Sequence, residues 1–139
     1  MQQHISLFVM RMVLGVIFLV NGIVKFQTMA DTVGWFQSIG LPAFMAYVVM
    51  LLEIVGGIGL MIGLGTRIFS VLFSAMLIGA ILLVKVEAGF LAGWSYDLAL
   101  LAIALFLAVN GSPTLSIDRL FKRKPQSLSE YLVVNEQDK

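Results

Sequence analysis

Five residues with charged or strongly polar side chains fall inside stretches of sequence that are otherwise apolar. They are Arg11, Asn21, Lys25, Glu53 and Asp97. An ionisable side chain within a membrane span costs about 2.5–3.5 kcal/mol on insertion scales, so it usually faces protein or water and marks a candidate functional site. In such a site Arg11 could polarise a carbonyl oxygen, and Glu53 could relay a proton. We therefore interpret these five residues as a polar core that binds a substrate.

The chain's own side chains exclude several kinds of redox chemistry. The sequence contains no Cys, and its single histidine is His4. Thiolate metal sites, iron–sulfur clusters and histidine-clustered metal sites cannot be assembled from these residues. No glycine-rich phosphate loop follows a predicted strand, which argues against an internal flavin or nicotinamide domain. Any redox role must therefore use a diffusible molecule or the cofactor of a partner protein.

The composition places these residues in a membrane protein. Hydrophobic residues make up 60% of the 139 residues, charged residues make up 12%, and the mean hydropathy is +0.99. Soluble domains are about 45–50% apolar and about 25% charged. A soluble chain of this length could not bury so much apolar surface, because a small globule buries only about 68–70% of what its unfolded chain exposes.

Four apolar stretches are long enough to cross a membrane as helices. They cover residues 5–26, 43–64, 68–84 and 93–109. The loop 27–42 is long enough to carry a short interfacial helix, with Trp35 and Phe36 suited to the headgroup level. The predicted fold is all-α: an integral membrane four-helix bundle over residues 1–118, followed by a short polar cytoplasmic tail over residues 119–139.

Glycines share the helix faces that carry the charges. At 3.6 residues per turn, Arg11, Gly15, Gly22 and Lys25 lie on one face of the first helix. Glu53 shares a face of the second helix with glycine in the same way. Because glycines allow another helix to approach closely, these faces should point into the bundle.

Matching depths predict which charges pair. Glu53 lies about 15 Å into its helix and Arg11 about 9 Å from the opposite side. The expected pairs are Arg11 with Glu53, Lys25 with Asp97, Arg67 with Asp118, and Lys85 with Glu87 in a solvated loop. Simpler alternatives are that Arg11 and Lys25 extend to the headgroups, and that Glu53 belongs to a purely structural ion pair.

Lysines and arginines predict the orientation. Four of them lie just after the fourth span and Arg67 lies in the turn between the second and third spans, whereas the loop 27–42 has none. Lys85, two residues from Glu87, is the one exception. The residues after the fourth span are Arg119, Lys122, Arg123 and Lys124. Because cytoplasmic loops carry an excess of Lys and Arg, both termini should lie on the cytoplasmic side of the cell membrane.

From about residue 8 to residue 118 the sequence resembles the DoxX family of small four-helix membrane proteins. The resemblance is carried by Arg11-Met-Val-Leu-Gly15-Val-Ile-Phe18, Asn21-Gly22-Ile-Val-Lys25-Phe26, Gly40-Leu-Pro42, Glu53-Ile-Val-Gly56-Gly57, Gly63-Leu-Gly65-Thr-Arg67, Asp97 and Leu115-Ser-Ile-Asp118. The sequence departs from the family pattern in two places. Asp97 replaces a more usual Glu, and Asn110-Gly-Ser-Pro113 stands where the family usually shows Gly-Pro-Gly.

The resemblance implies a bacterial membrane oxidoreductase, or a subunit of a quinone-linked redox system. It marks Arg67, Ser116 and Asp118 as cytoplasmic motif positions and assigns no catalytic residue. The implied ligand is a quinone, with no covalently bound cofactor and no metal. Expected partners are the lipid bilayer, a soluble redox protein at the cytoplasmic face and a second copy of the chain, but no nucleic acid.

Three functions stay open at this point. The first is a quinone-linked oxidoreductase or its membrane subunit. The second is a non-catalytic accessory subunit that anchors a soluble redox partner through the basic tail. The third is a small proton-coupled transporter that uses Glu53 as its protonatable site.

Overall fold

The computed structural model describes residues 2–111, which form helices and short connections without any strand. The helices are α1 (Gln2–Gln27), α2 (Met29–Ser38), α3 (Ala43–Ile62), α4 (Thr66–Ala80) and α5 (Ser95–Asn110). Two π-helical turns lie between α4 and α5, at Ile81–Lys85 and Phe90–Trp94. The first turn extends α4, and the second leads into α5.

The structure confirms the predicted all-α membrane fold. Four helical stretches are long and apolar enough to span a membrane: Gln2–Gln27, Ala43–Ile62, Thr66–Lys85 and Phe90–Asn110. Their ends differ from the predicted ones by a few residues, and α2 is the short helix expected in the loop 27–42. The predicted boundary at residue 118 and the polar tail lie outside the described residues.

Glycines bring α1 and α3 into close contact, as their shared face predicted. A β-carbon added at Gly22 would lie 2.9 Å from the backbone nitrogen of Ile54. One added at Gly57 would lie 2.8 Å from the backbone nitrogen of Leu19. Only glycine permits this close approach of the two backbones. The approach fixes the register of α1 against α3, so that Glu53 lies level with Gly22.

A tight turn separates α3 from α4. Gly63 has a φ of 74° and Gly65 a φ of 61°, a left-handed conformation that glycine adopts readily. Gly63 closes α3 in a Schellman motif, since the Leu64 N–H donates to the Gly59 carbonyl at 2.8 Å. We call this end of the bundle the Gly65 end, and the opposite end, which carries α2, the α2 end.

The bundle consists of two helix pairs. α1 packs mainly on α3, and α4 packs mainly on α5. The pairs meet in a core where the rings of Phe18 and Phe73 stack with their centroids 3.8 Å apart. Toward the α2 end the pairs enclose a cavity between them.

Candidate functional site

A cavity of about 420 Å³ lies between the two helix pairs at the α2 end of the bundle. Most of its wall is apolar, and Phe18 lines it on the side of the core. Its charged and amide side chains are Asn21, Lys25, Glu53, Lys85 and Asp97. A mainly apolar cavity with a few converging polar groups is the usual form of a small-molecule site.

α2 covers part of this cavity. Its last turn ends in a Schellman motif, in which the Leu41 N–H donates to the Phe36 carbonyl at 2.9 Å and the Gly40 N–H donates to the Gln37 carbonyl at 3.0 Å. Phe36 is 6% exposed and is the buried residue of the helix. Phe36, Leu41 and the more exposed Trp35 all line the cavity, so this segment supplies an aromatic wall.

Lys25 and Glu53 form an ion pair between α1 and α3. Lys25 Nζ donates to Glu53 Oε1 at 2.9 Å and to Oε2 at 2.7 Å. The Glu53 side chain is 5% exposed and that of Lys25 is 26% exposed. Side chains on a helix point toward its N-terminus, so Lys25 reaches back along α1 to the level of Gly22, where Glu53 lies.

Lys85 and Asp97 form a second ion pair, between the extension of α4 and the start of α5. Lys85 Nζ lies 2.5 Å from Asp97 Oδ2, but Oδ2 accepts no well-aligned hydrogen bond from the described residues. Lys85 ends one π-helical turn, and Asp97 follows the other. A β-carbon at Gly93 would lie 2.9 Å from the Lys85 carbonyl oxygen, so Gly93 lets the two turns approach. π-helical turns occur frequently at functional sites.

The predicted pairing of Glu53 with Arg11 is wrong. Depths counted from the helix ends suggested that their side chains could meet, but the glycine contacts set a different register. Glu53 is level with Gly22, and Arg11 lies about 16 Å further along α1 at a rise of 1.5 Å per residue. Arg11 therefore belongs to the Gly65 end of the bundle. It is 2% exposed there, with its guanidinium carbon 5.4 Å from the centre of the Phe8 ring.

The predicted pairing of Lys25 with Asp97 and that of Lys85 with Glu87 are also wrong. Lys25 is occupied by Glu53, and Asp97 is held by Lys85. The sequence placed Lys85 in a solvated loop, whereas the π-helical turn keeps it on the spanning helix and directs it to Asp97. Both lysines nevertheless line the same cavity.

The structure thus brings four of the five predicted polar-core residues together and separates the fifth. Asn21, Lys25, Glu53 and Asp97 line the cavity, whereas Arg11 does not. Lys85 is the residue that sequence reasoning missed. The signal that could have found it is the recurrence of Val-Lys at the end of the first and third spans.

The predicted cytoplasmic motif positions lie partly within the described residues. Arg67 is exposed at the Gly65 end, and its Nη2 donates to the Val109 carbonyl at 3.2 Å, near the end of α5. Ser116 and Asp118 lie outside the described residues, and so does the expected pairing of Arg67 with Asp118. Within residues 2–111 no three or more His, Asp and Glu side chains are grouped so that they could hold a metal ion.

Comparison with known proteins decides the family. The DoxX family model matches residues 6–86. The chain belongs to the DoxX family. It is 46% identical over 122 residues to "Putative oxidoreductase CatD" of Bacillus subtilis, covering 87% of this chain and 91% of that protein.

Two further relatives carry membrane names. This DoxX protein is 34% identical over 136 residues to "Uncharacterized membrane protein Rv3486" of Mycobacterium tuberculosis, covering 86% of this chain and 83% of the relative. It is 30% identical over 129 residues to "Inner membrane protein YqjF" of Escherichia coli, covering 88% of this chain and 96% of the relative. No solved structure shows significant similarity to the chain. The DoxX match includes Lys25, Glu53 and Lys85 and ends before Asp97.

Proposed function

We propose that this DoxX protein binds a quinone-like molecule in the cavity and takes part in its reduction or oxidation with a redox partner. The observation that carries the proposal is the presence of two lysine–carboxylate pairs on the wall of one largely apolar cavity. The cavity lies among helices that are long and apolar enough to span a membrane, where lipid-soluble molecules are concentrated.

The chemistry of a quinone suits these walls. Its ring is apolar and fits among aromatic and aliphatic side chains, while its carbonyl oxygens need hydrogen-bond donors. Lys25 and Lys85 provide ammonium donors, which carry no acceptor of their own. Reduction to the hydroquinone consumes two electrons and two protons. The protons would pass through the lysine–carboxylate pairs, and the electrons would come from the cofactor of a partner redox protein.

One of the three relatives supports the oxidoreductase class, and none of their names gives a ligand. The name of the Bacillus subtilis protein gives a redox activity and no substrate. Extending that class to this chain is consistent with the 46% identity. The choice of a quinone-like ligand comes from what the family resemblance implies, and the apolar cavity with its two ion pairs supports it.

We further propose that both termini are cytoplasmic and that the basic residues of the tail dock the soluble redox partner. Residues 119–124 include four Lys and Arg side chains: Arg119, Lys122, Arg123 and Lys124. Such a cluster would attract an acidic surface on the partner.

Quenching of tryptophan fluorescence tests the proposal. The chain has two tryptophans, of which Trp35 lines the cavity and Trp94 does not. The variant Trp94→Phe keeps only Trp35, and Trp35→Phe keeps only Trp94. Duroquinone (tetramethyl-1,4-benzoquinone) is a suitable probe, because quinones quench indole fluorescence and its ring has no free position for addition of a lysine.

We expect saturable quenching of Trp35 at low duroquinone concentration. The protein that keeps only Trp94 should show only the linear quenching caused by duroquinone dissolved in the detergent or lipid. Glu87→Gln, which changes an exposed carboxylate outside the cavity, should leave the Trp35 titration unchanged. Purely linear quenching of both tryptophans would refute the proposal and favour an accessory subunit that binds no quinone.

A further inference from the structure

The two helix pairs repeat one arrangement of charges. In each pair the first spanning segment carries a lysine in its last turn, Lys25 in Gln2–Gln27 and Lys85 in Thr66–Lys85. In each pair the second segment carries the carboxylate that binds this lysine, Glu53 in α3 and Asp97 in α5. The first pair differs by the insertion of α2 between its spans. The two halves therefore repeat a lysine–carboxylate pair in the same order along the chain, with the lysine on the first span and the carboxylate on the second.

The repeat places the two ion pairs on different walls of the cavity. One pair belongs to α1 and α3, the other belongs to the α4–α5 pair, and the cavity lies between these two helix pairs. Accessibility is also alike in the two pairs. The lysine side chains are 26% and 35% exposed, whereas their carboxylate partners are 5% and 7% exposed. In each wall the lysine is thus the more accessible side chain of the pair, and the buried carboxylate binds its ammonium group.

We infer that the cavity is a two-point site, in which Lys25 and Lys85 each hold one of two oxygens at opposite ends of the ligand. The inference rests on the proposed function and narrows its ligand class to rings with two separated oxygens, as in a 1,4-quinone and its hydroquinone. A ligand with one oxygen, or with two adjacent oxygens, accepts a hydrogen bond from the lysine on one wall only. The lysine on the other wall then faces an apolar edge of the ring.

The two-point site predicts a specific discrimination. A hydrogen bond to a charged group contributes enough to change binding by about tenfold or more. Tetramethylhydroquinone carries two oxygens at opposite ends of the ring, and 2,3,5,6-tetramethylphenol has the same methyl groups and only one. The hydroquinone should therefore displace duroquinone at a concentration about tenfold lower than the phenol.

The experiment is a displacement titration on the protein that keeps only Trp35. Duroquinone is bound first, and recovery of Trp35 fluorescence is followed as either competitor is added. The double change Lys85→Met/Asp97→Asn removes one wall's ion pair as a unit, so that no buried charge is left unpaired. In this variant the phenol should bind as in the unchanged protein, and the hydroquinone should lose its tenfold advantage. Circular dichroism checks that the variant remains helical.

The outcomes separate this inference from the proposed function. Equal displacement by the two competitors in the unchanged protein would overturn the two-point site while leaving quinone binding intact. A preference that persists in Lys85→Met/Asp97→Asn would also overturn it, because the second oxygen would then be bound elsewhere. Absence of saturable duroquinone quenching would instead refute the proposed function. Glu87→Gln serves as the matched control and should retain the full preference.

Discussion

Replacing Lys25 by Met should destabilise the protein more than replacing Glu53 by Leu. The first change leaves a carboxylate that is 5% exposed and has lost both of its hydrogen bonds from Nζ. Breaking a buried ion pair by removing one partner costs about 3–5 kcal/mol. The second change leaves a lysine that is 26% exposed and lies near the end of α1. Its long side chain can turn toward water, so the cost should be smaller.

The double change Lys25→Met/Glu53→Leu should cost less than the sum of the two single changes. It removes both charges and leaves neither unpaired, and replacing a whole buried pair by apolar side chains is often neutral. We expect a coupling free energy of about 2–3 kcal/mol, at the upper end of the range for residues in direct contact. That magnitude follows from the two short hydrogen bonds that join the pair.

The free energy of unfolding can be measured by titrating the protein from mild detergent into sodium dodecyl sulfate and following helicity. A second cycle, with Arg11→Leu and Glu53→Leu, supplies the matched control. Because these residues lie about 16 Å apart along the bundle, their effects should add within about 0.5 kcal/mol. Strict additivity for Lys25 and Glu53, or strong coupling for Arg11 and Glu53, would refute the register derived from the glycine contacts.

Two other predictions concern packing and topology. Gly57→Ala should lower the free energy of unfolding, because its methyl group would lie 2.8 Å from the Gly15 carbonyl oxygen; Gly34→Ala, where the space is open, should not lower it, and equal effects would contradict the close packing. An impermeant thiol reagent added outside cells should label Ser38→Cys and not Ser127→Cys, because the proposed orientation puts the loop 27–42 outside and the C-terminus in the cytoplasm. The chain has no native cysteine to be labelled in their place, and the reverse labelling would contradict the orientation.

The sequence was sufficient to predict the fold because each membrane-spanning helix requires a long apolar run, which is easily recognised in a sequence. Runs of apolar residues of spanning length predicted all four helices. The glycines that share a face with Lys25 and Glu53 predicted that α1 and α3 would pack through that face. The close contacts at Gly22 and Gly57 confirm it.

The pairing of charges could not be predicted in the same way. It depends on the register between helices, which depth counting from uncertain helix ends cannot fix to within one turn. Counted depths left Arg11 and Glu53 close enough to meet, whereas the glycine contacts separate them by about 16 Å, or about three helical turns. The partner of Asp97 was missed for another reason, since hydropathy does not predict the π-helical turn that keeps Lys85 on the spanning helix.

The most direct test of the proposed site is native mass spectrometry of the protein released from mild detergent after incubation with duroquinone. We expect one duroquinone per chain for the unchanged protein and for Glu87→Gln. We expect none for a variant that combines Lys25→Met/Glu53→Leu with Lys85→Met/Asp97→Asn, provided that circular dichroism shows it to be helical. Equal binding to all three proteins, or no binding to any of them, would contradict a quinone site formed by these two ion pairs.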